Sequence, residues 1–446
     1  MTDIGTQFQQ RAAEHLSALV RIPTVSHPDP GHQDDVAFAR FVKTFEASYP
    51  LLHEHLDRTT VGPGGLLFHW AGDSAEKPLV LMAHWDVVPV VESDWSEDPF
   101  SGRVSATDVH GRGTLDDKGS LVVICEAVET LLAEGYSPEQ DVYLSFGCDE
   151  EVAGTAAVEA VDELRSRGVT PWLVIDEGGA VVEGVFPGLR RPAALVGVAE
   201  KGLLDLEITT ADQGGHAAMP RQGGAVARLA RAIGRLDQHP FPVTLTDPAL
   251  AMVETLGEHV RGPLRAVLSR AGSLRPALAQ AFARMGPETA AVVRTTVAIT
   301  RLEGSPAANV IAARATAHAN IRIQLGETVE SVVARLGDVI KDRTIELRVV
   351  SGSNPTSVSP SDGEQFDAIR SAVAVTYPDA VTAPYVMMQA SDARHFHAIS
   401  DHVYRFSPFA MTREQRDSIH GVDEYISLDA LGRGVAFYRH LIAERP

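Results

Sequence analysis

Three short apolar runs in this chain each lead into a histidine or an acid, and this pattern limits the possible folds more than any other feature. Leu79-Val80-Leu81-Met82 leads to His84. Val142-Tyr143-Leu144-Ser145-Phe146 leads to Asp149-Glu150-Glu151, and Trp172-Leu173-Val174-Ile175 leads to Asp176-Glu177. Continuous apolar runs of this length suit strands buried on both faces. Between the first two, residues 119–134 place Leu121, Ile124, Cys125, Val128, Leu131 and Leu132 on one helical face, and Gly135 ends the pattern. The alternation predicts an α/β fold, a mainly parallel sheet with helices on both faces. In such sheets chemistry gathers at the carboxyl ends of the strands.

The pattern changes near residue 203. Leu204, Leu206 and Ile208 alternate with Asp205, Glu207 and Thr209, and the same period of two recurs over residues 314–323 and 345–349. Alternation of this kind marks strands with one wet face, hence an antiparallel sheet. Helical stripes at Val226, Leu229, Ile233, Leu236 and at Val332, Val333, Leu336, Val339, Ile340 lie between them. With a further strand near 293–302 the order is β-α-β-β-α-β, a ferredoxin-like α+β arrangement. Residues 1–200 and 353–446 are therefore expected to form one α/β domain. Residues 201–352 form a smaller domain within it, carrying a helical insertion at about 247–290.

The length of 446 residues fits such a division. The formal charge of −20 repels phosphate backbones and argues against nucleic acid as a partner. The two cysteines, Cys125 and Cys148, exclude a disulfide scaffold and fit a reducing compartment. The start, MTDIGTQFQQRAAEHL, lacks the basic and apolar regions of a secretory leader, and no run approaches the length of a membrane span. The expectation is a cytoplasmic protein with no membrane partner.

The polar ends of the strands carry the chemistry. His84 and Asp86 are two residues apart, so on extended backbone they share a side, and Asp86 can hold the free imidazole nitrogen of His84. Gly111-Arg112-Gly113-Thr114-Leu115-Asp116-Asp117-Lys118-Gly119 places paired acids at the mouth of a helix, where the dipole favours negative charge. Asp149-Glu150-Glu151 and Asp176-Glu177-Gly178-Gly179 follow strands directly, and a distant segment adds Ile419-His420-Gly421-Val422-Asp423-Glu424. Each piece alone has an ordinary reading as a polar pair, a turn or a solvated surface. Together they would bury several carboxylates on one sheet edge, which costs several kcal/mol per group without cations. A dinuclear metal centre removes that cost.

Taken together, AHWDVVP, GRGTLDDKGS, FGCDEEVAG, IDEGG, GGHAAMP and IHGVDEYI resemble peptidase family M20, whose members include carboxypeptidases, aminoacylases, dipeptidases and deacetylases. The run from His84 through PFSGRV to DEEVAG looks closest to the carboxypeptidase S branch, which also holds N-acyl-amino-acid hydrolases. The resemblance implies a zinc-peptidase-like fold whose smaller domain acts as a lid and in dimerisation. It implies His84 and Asp176 as terminal ligands of one metal, Glu151 and His420 of the other, and Asp116 as the bridge, with a cis peptide after Asp116. Glu150 matches the general base and Asp86 the partner of His84. On the substrate side it implies His216, Asn309, Arg322 and Arg394, with His216 often reaching the other subunit's site. Alanines replace the usual serines after His216, and Ser391 replaces a threonine in the segment of Arg394.

The implied cofactors are two divalent ions, usually zinc, though two imidazoles and three carboxylates also suit cobalt or manganese. The implied reaction is hydrolysis of an amide next to a free carboxylate, in a small peptide or an N-acyl amino acid; the same site can run as a condensation. A dipeptidase or deacetylase of the same family stays open. So do a non-catalytic descendant that binds metal or ligand, and a metallophosphoesterase.

Overall fold

The computed structural model describes residues 5–445; residues 1–4, at the start of the segment read as lacking a leader, and residue 446 lie outside it. The three apolar runs become neighbouring strands. Ser74–His84 pairs in parallel with Gln140–Gly147 on one side and with Leu173–Asp176 on the other, and Val403–Arg405 continues the parallel order beside Leu173–Asp176. They form the centre of a nine-stranded sheet whose Asp57–Val61 and Gly65–Trp70 edge is antiparallel.

Side chains alternate along each central strand. Leu79 and Leu81 enter a core on one face, while Val80 and Met82 enter a second core on the other. The first core includes helices Thr6–Val20, Lys118–Ala133 and Leu428–Ala443; the second includes Ala156–Ser166. Each fully buried Leu, Ile or Val contributes about 1.5–3 kcal/mol relative to exposure. Two-sided burial is why these runs lack polar interruptions. Because the strands are parallel, their carboxyl ends share one edge, and His84, Glu150–Glu151 and Glu177 follow there.

A separate four-stranded sheet has the order Thr296–Glu303, Arg314–Ile323, Gly202–Ala211, Ile345–Ser353, all antiparallel. Leu204, Leu206, Ile208, Ala317 and Ile321 pack against helices Ala225–Gln238 and Val329–Ile340. The opposite face carries the ion pairs of Glu207 with Arg314 and Arg348. The chain enters and leaves this sheet side by side, with Leu203 opposite Ser353.

Helices Asp247–Glu258, Pro263–Leu268, Arg275–Met285 and Pro287–Val293 interrupt the sequence between two strands of the small sheet. They do not join its core. Val253, Leu256, Leu268 and Phe282 pack on one another and against Ala193, Val381 and Ala383 of the large sheet.

Candidate metal centre

The site begins at the end of the central strand. His84 is buried, and its Nδ1 lies 3.3 Å from Asp86 Oδ1. Asp86 is itself fully buried and also accepts from the backbone N–H groups of Glu150 (3.2 Å) and Glu151 (3.1 Å). One carboxylate therefore fixes both the imidazole and the neighbouring acidic turn. The other imidazole nitrogen, His84 Nε2, is 2.9 Å from Asp116 Oδ1.

Asp116 stands just before helix Lys118–Ala133, and its peptide bond to Asp117 is cis. Its second oxygen, Oδ2, faces His420 Nε2 at 3.0 Å. Asp116 thus turns one oxygen to each histidine. His420 also lies 3.1 Å from Glu151 Oε2 and has a left-handed backbone (φ +58°), a conformation uncommon outside glycine that clusters at functional sites.

A buried ion pair joins these two loops. Arg112 donates to Glu424 and, at 2.6 Å, to the carbonyl of Gly421. Glu424 also accepts from the backbone N–H of Leu115 at 2.7 Å and of Asp116 at 3.3 Å. Neither Arg112 nor Glu424 is singled out by sequence reading, although both lie inside the segments that reading selects. Their pairing, far apart in the chain, becomes visible only once the fold joins those segments.

On the far side of His84 the structure differs from expectation. The Asp176 carboxylate accepts the backbone N–H of Ala393 at 2.8 Å, and Glu177 Oε1 lies 3.6 Å from His84 Nε2. Strand Leu173–Asp176 ends at Asp176, and Gly178 follows at φ +132°. A Cβ at Gly178 would overlap Met387 Sδ, so only glycine lets the chain turn there. That turn carries Glu177 over the sheet edge, while Asp176 keeps its place in the strand and faces the short helix Ala393–Phe396. Strand alternation governs Asp176 but stops applying one residue later.

Two groups result: His84, Asp116 and Glu177, and Asp116, Glu151 and His420. Within each, the ligand atoms lie within 4.8 Å of one another. Burial would lower the His84 imidazole, but the carboxylates of Asp116, Asp86 and Glu177 outweigh it and raise its pKa well above the ordinary value. Asp116 and Glu151 push His420 up to about 10. Burial would raise Asp116, but His420 and His84 hold it below the ordinary carboxylate range. Burial, reinforced by Asp116, pushes Glu177 up to about 8, and burial also raises Glu150 well above its usual value. Glu151 Oε1 is buried without a hydrogen-bond partner. Crowded carboxylates, an orphaned oxygen and two imidazoles fit divalent cations, which relieve both the repulsion and the desolvation.

Glu150, Glu151, Asp116, Glu177 and His420 line a cleft of about 290 Å³, along with apolar Leu115, Ala180, Met387, Met411 and Ile419. The remaining expected residues lie elsewhere. His216 and Asn309 are exposed neighbours at a separate two-stranded pairing of Gly215–His216 with Val310–Ile311, where Ala217 N–H donates to the Asn309 carbonyl, and neither lines this cleft. Arg322 is half-buried and approaches the Met388 carbonyl at 3.5 Å, beside the cleft-lining Met387 and Gln389. Arg394 turns away: it donates to the Asn354 carbonyl at 3.1 Å and lies 3.8 Å from Glu200. Glu200 is fully buried with Arg405, and this internal charge draws in both arginines. Arg416, which sequence reading passes over, does line the cleft.

Known proteins resemble the chain along most of its length. Residues 80–444 match the profile of Peptidase family M20/M25/M40. The N-fatty-acyl-amino acid synthase/hydrolase PM20D1 of Xenopus tropicalis is 34% identical over 99% of this chain and 87% of its own length. "Probable carboxypeptidase S-like 2" of Dictyostelium discoideum is 31% identical over 96% of this chain and 84% of its own. Among solved structures, the M20 family metallo-carboxypeptidase Sso-CP2 from Sulfolobus solfataricus superposes with a TM-score of 0.71 at 17% identity, over 97% of this chain and 98% of that one. The YXEP protein of Bacillus subtilis, a dinuclear metal-binding peptidase, gives 0.61 at 15% identity, over 98% of each chain. The central sheet, the carboxylate–histidine edge and these likenesses converge: the chain belongs to peptidase family M20/M25/M40 and is a metallopeptidase or amidohydrolase of that family.

Proposed function

We propose that this protein hydrolyses an amide bond next to a free carboxylate, in a C-terminal peptide bond or an N-acyl amino acid, at a dinuclear centre. The observation that carries the reading is Asp116, whose two oxygens face His84 and His420 separately. In this reading His84, Asp116 and Glu177 would hold one ion and Asp116, Glu151 and His420 the other. Glu177 takes the place first given to Asp176. Zinc is the proposed metal, with cobalt and manganese as alternatives that the oxygen-rich set also accommodates. Two bound divalent ions would supply Lewis acidity and lower the pKa of water.

The chain's own residues do the rest. Glu150 accepts a proton from the attacking water at its carboxylate and returns it to the leaving amine nitrogen. Burial raises its proton affinity, which favours taking the proton from water. Asp86 fixes the His84 tautomer and the backbone of Glu150, so base and ligand keep their relative position.

The four-stranded region, residues 201–352, is proposed as a lid that brings Arg322 to the substrate carboxylate, turning near residues 200 and 353. His216 and Asn309, exposed and away from this chain's cleft, would complete the site of a second copy in a homodimer. The two cysteines are free and buried, in keeping with the cytoplasmic reading. Among the described residues, no helix is long and apolar enough to cross a membrane.

A panel of N-acyl amino acids, dipeptides and phosphoesters, assayed with zinc, cobalt and manganese, tests the proposal. Turnover of acyl amino acids or peptides bearing a free carboxylate is expected. Turnover of phosphoesters alone, or none in the metal-loaded protein, would overturn it.

A further inference from the structure

Among the described residues Arg416 is the one arginine or lysine that lines the cleft. It sits on the short helix Arg413–Ser418, four residues before His420, so the backbone ties it to the candidate centre. It is partly buried and donates from Nη1 to the Met411 carbonyl at 3.3 Å. Among the described residues it has no carboxylate within ion-pair distance. Its neighbour Asp417 is no exception, since Asp417 lies 3.6 Å from Arg413, which points outward and also reaches Glu288 at 3.5 Å. The acids of the cleft gather around the two histidines instead.

A partly desolvated guanidinium without a counter-ion is unfavourable in any protein, and more conspicuous in one of net charge −20. Its planar fork matches a carboxylate in two-point contact. By contrast Arg394 is occupied by Glu200 and Asn354, and Arg322 reaches only the rim at Met388.

Resting on the amidohydrolase reading above, we propose that Arg416 grips the free carboxylate of the substrate and sets the preference for carboxylate-bearing amides. The apolar wall of Ala180, Met387, Met411 and Ile419 beside it takes the hydrocarbon part. Among the described residues no other side chain with a permanent positive charge lines the cleft, so Arg416 meets the carboxylate in this arrangement, and Arg322 would join it only on movement of the four-stranded region.

The test compares an N-acyl amino acid with its primary carboxamide, using the full-length, metal-loaded protein. The wild type should favour the acid. Arg416→Gln should lower kcat/KM for the acid by about 100-fold, mostly through KM, and change the carboxamide by less than about threefold, so the preference collapses. Arg416→Lys keeps the charge but loses the fork and should fall about tenfold. If both variants keep the wild-type preference while Arg322→Gln loses it, the assignment of Arg416 is overturned and the amidohydrolase reading stands. If the wild type cleaves neither compound, the underlying reading itself fails.

Discussion

The two sheets of this molecule carry their proposed functional residues in opposite ways. At the edge of the large sheet, His84, Asp116, Glu151, Glu177 and His420 already touch within one chain. Within residues 201–352, His216 and Asn309 face solvent, and Arg322 stops at a backbone carbonyl on the rim. The first group hangs on buried parallel strands and on the Arg112–Glu424 pair, which fix it without further movement. If the second group acts as proposed, it needs a change in position or a second copy.

This contrast is open to attack from its strongest side first. Replacing Glu150 with Gln removes the proposed base and leaves the candidate ligand groups intact. Turnover should fall by about 10²–10⁴-fold at unchanged metal content, measured by steady-state kinetics alongside metal analysis. Retained turnover would remove Glu150 from the chemistry. A smaller loss is expected from His216→Ala. If His216 donates to a developing oxyanion in a second copy, kcat should fall by about 10²-fold. Mixing that variant with the inactive Glu150→Gln protein should then restore part of the activity, because one mixed site has both residues. Wild-type rates in His216→Ala would confine catalysis to the large sheet, and no recovery on mixing would overturn a role for His216 in a second copy's site.

Much of this was legible from the residues. The three apolar runs predicted parallel strands because two-sided burial leaves no room for polar alternation, and they do pair in parallel around Ser74–His84. The period-two alternation at Leu204, Leu206 and Ile208 matches a sheet with one buried face. Asp86 was legible too, since a spacing of two on extended backbone leads straight to its contact with His84. What was not legible was local. Asp176 and Glu177 are adjacent acids, and choosing between them needs the turn at Gly178, which the strand pattern does not encode. Arg394 was drawn to a buried glutamate, Glu200, which gives no sign in the sequence that it would be internal. The helical insertion packs on the large sheet rather than the small one, because its apolar faces find Val381 and Ala383 there. Arg416 lay beside a recognised segment but in no motif, and only the shape of the cleft brings it into view.

The central claim is a pair of metal sites sharing Asp116, with Glu177 rather than Asp176 completing the His84 side. Metal content after reconstitution with zinc and dialysis tests it most directly, comparing the wild type with Glu177→Ala and Asp176→Asn. The wild type should hold two ions per chain, one for each ligand group, Asp176→Asn should keep both, and Glu177→Ala should lose one. A single ion in the wild type, or loss in Asp176→Asn with both ions kept in Glu177→Ala, would contradict the account.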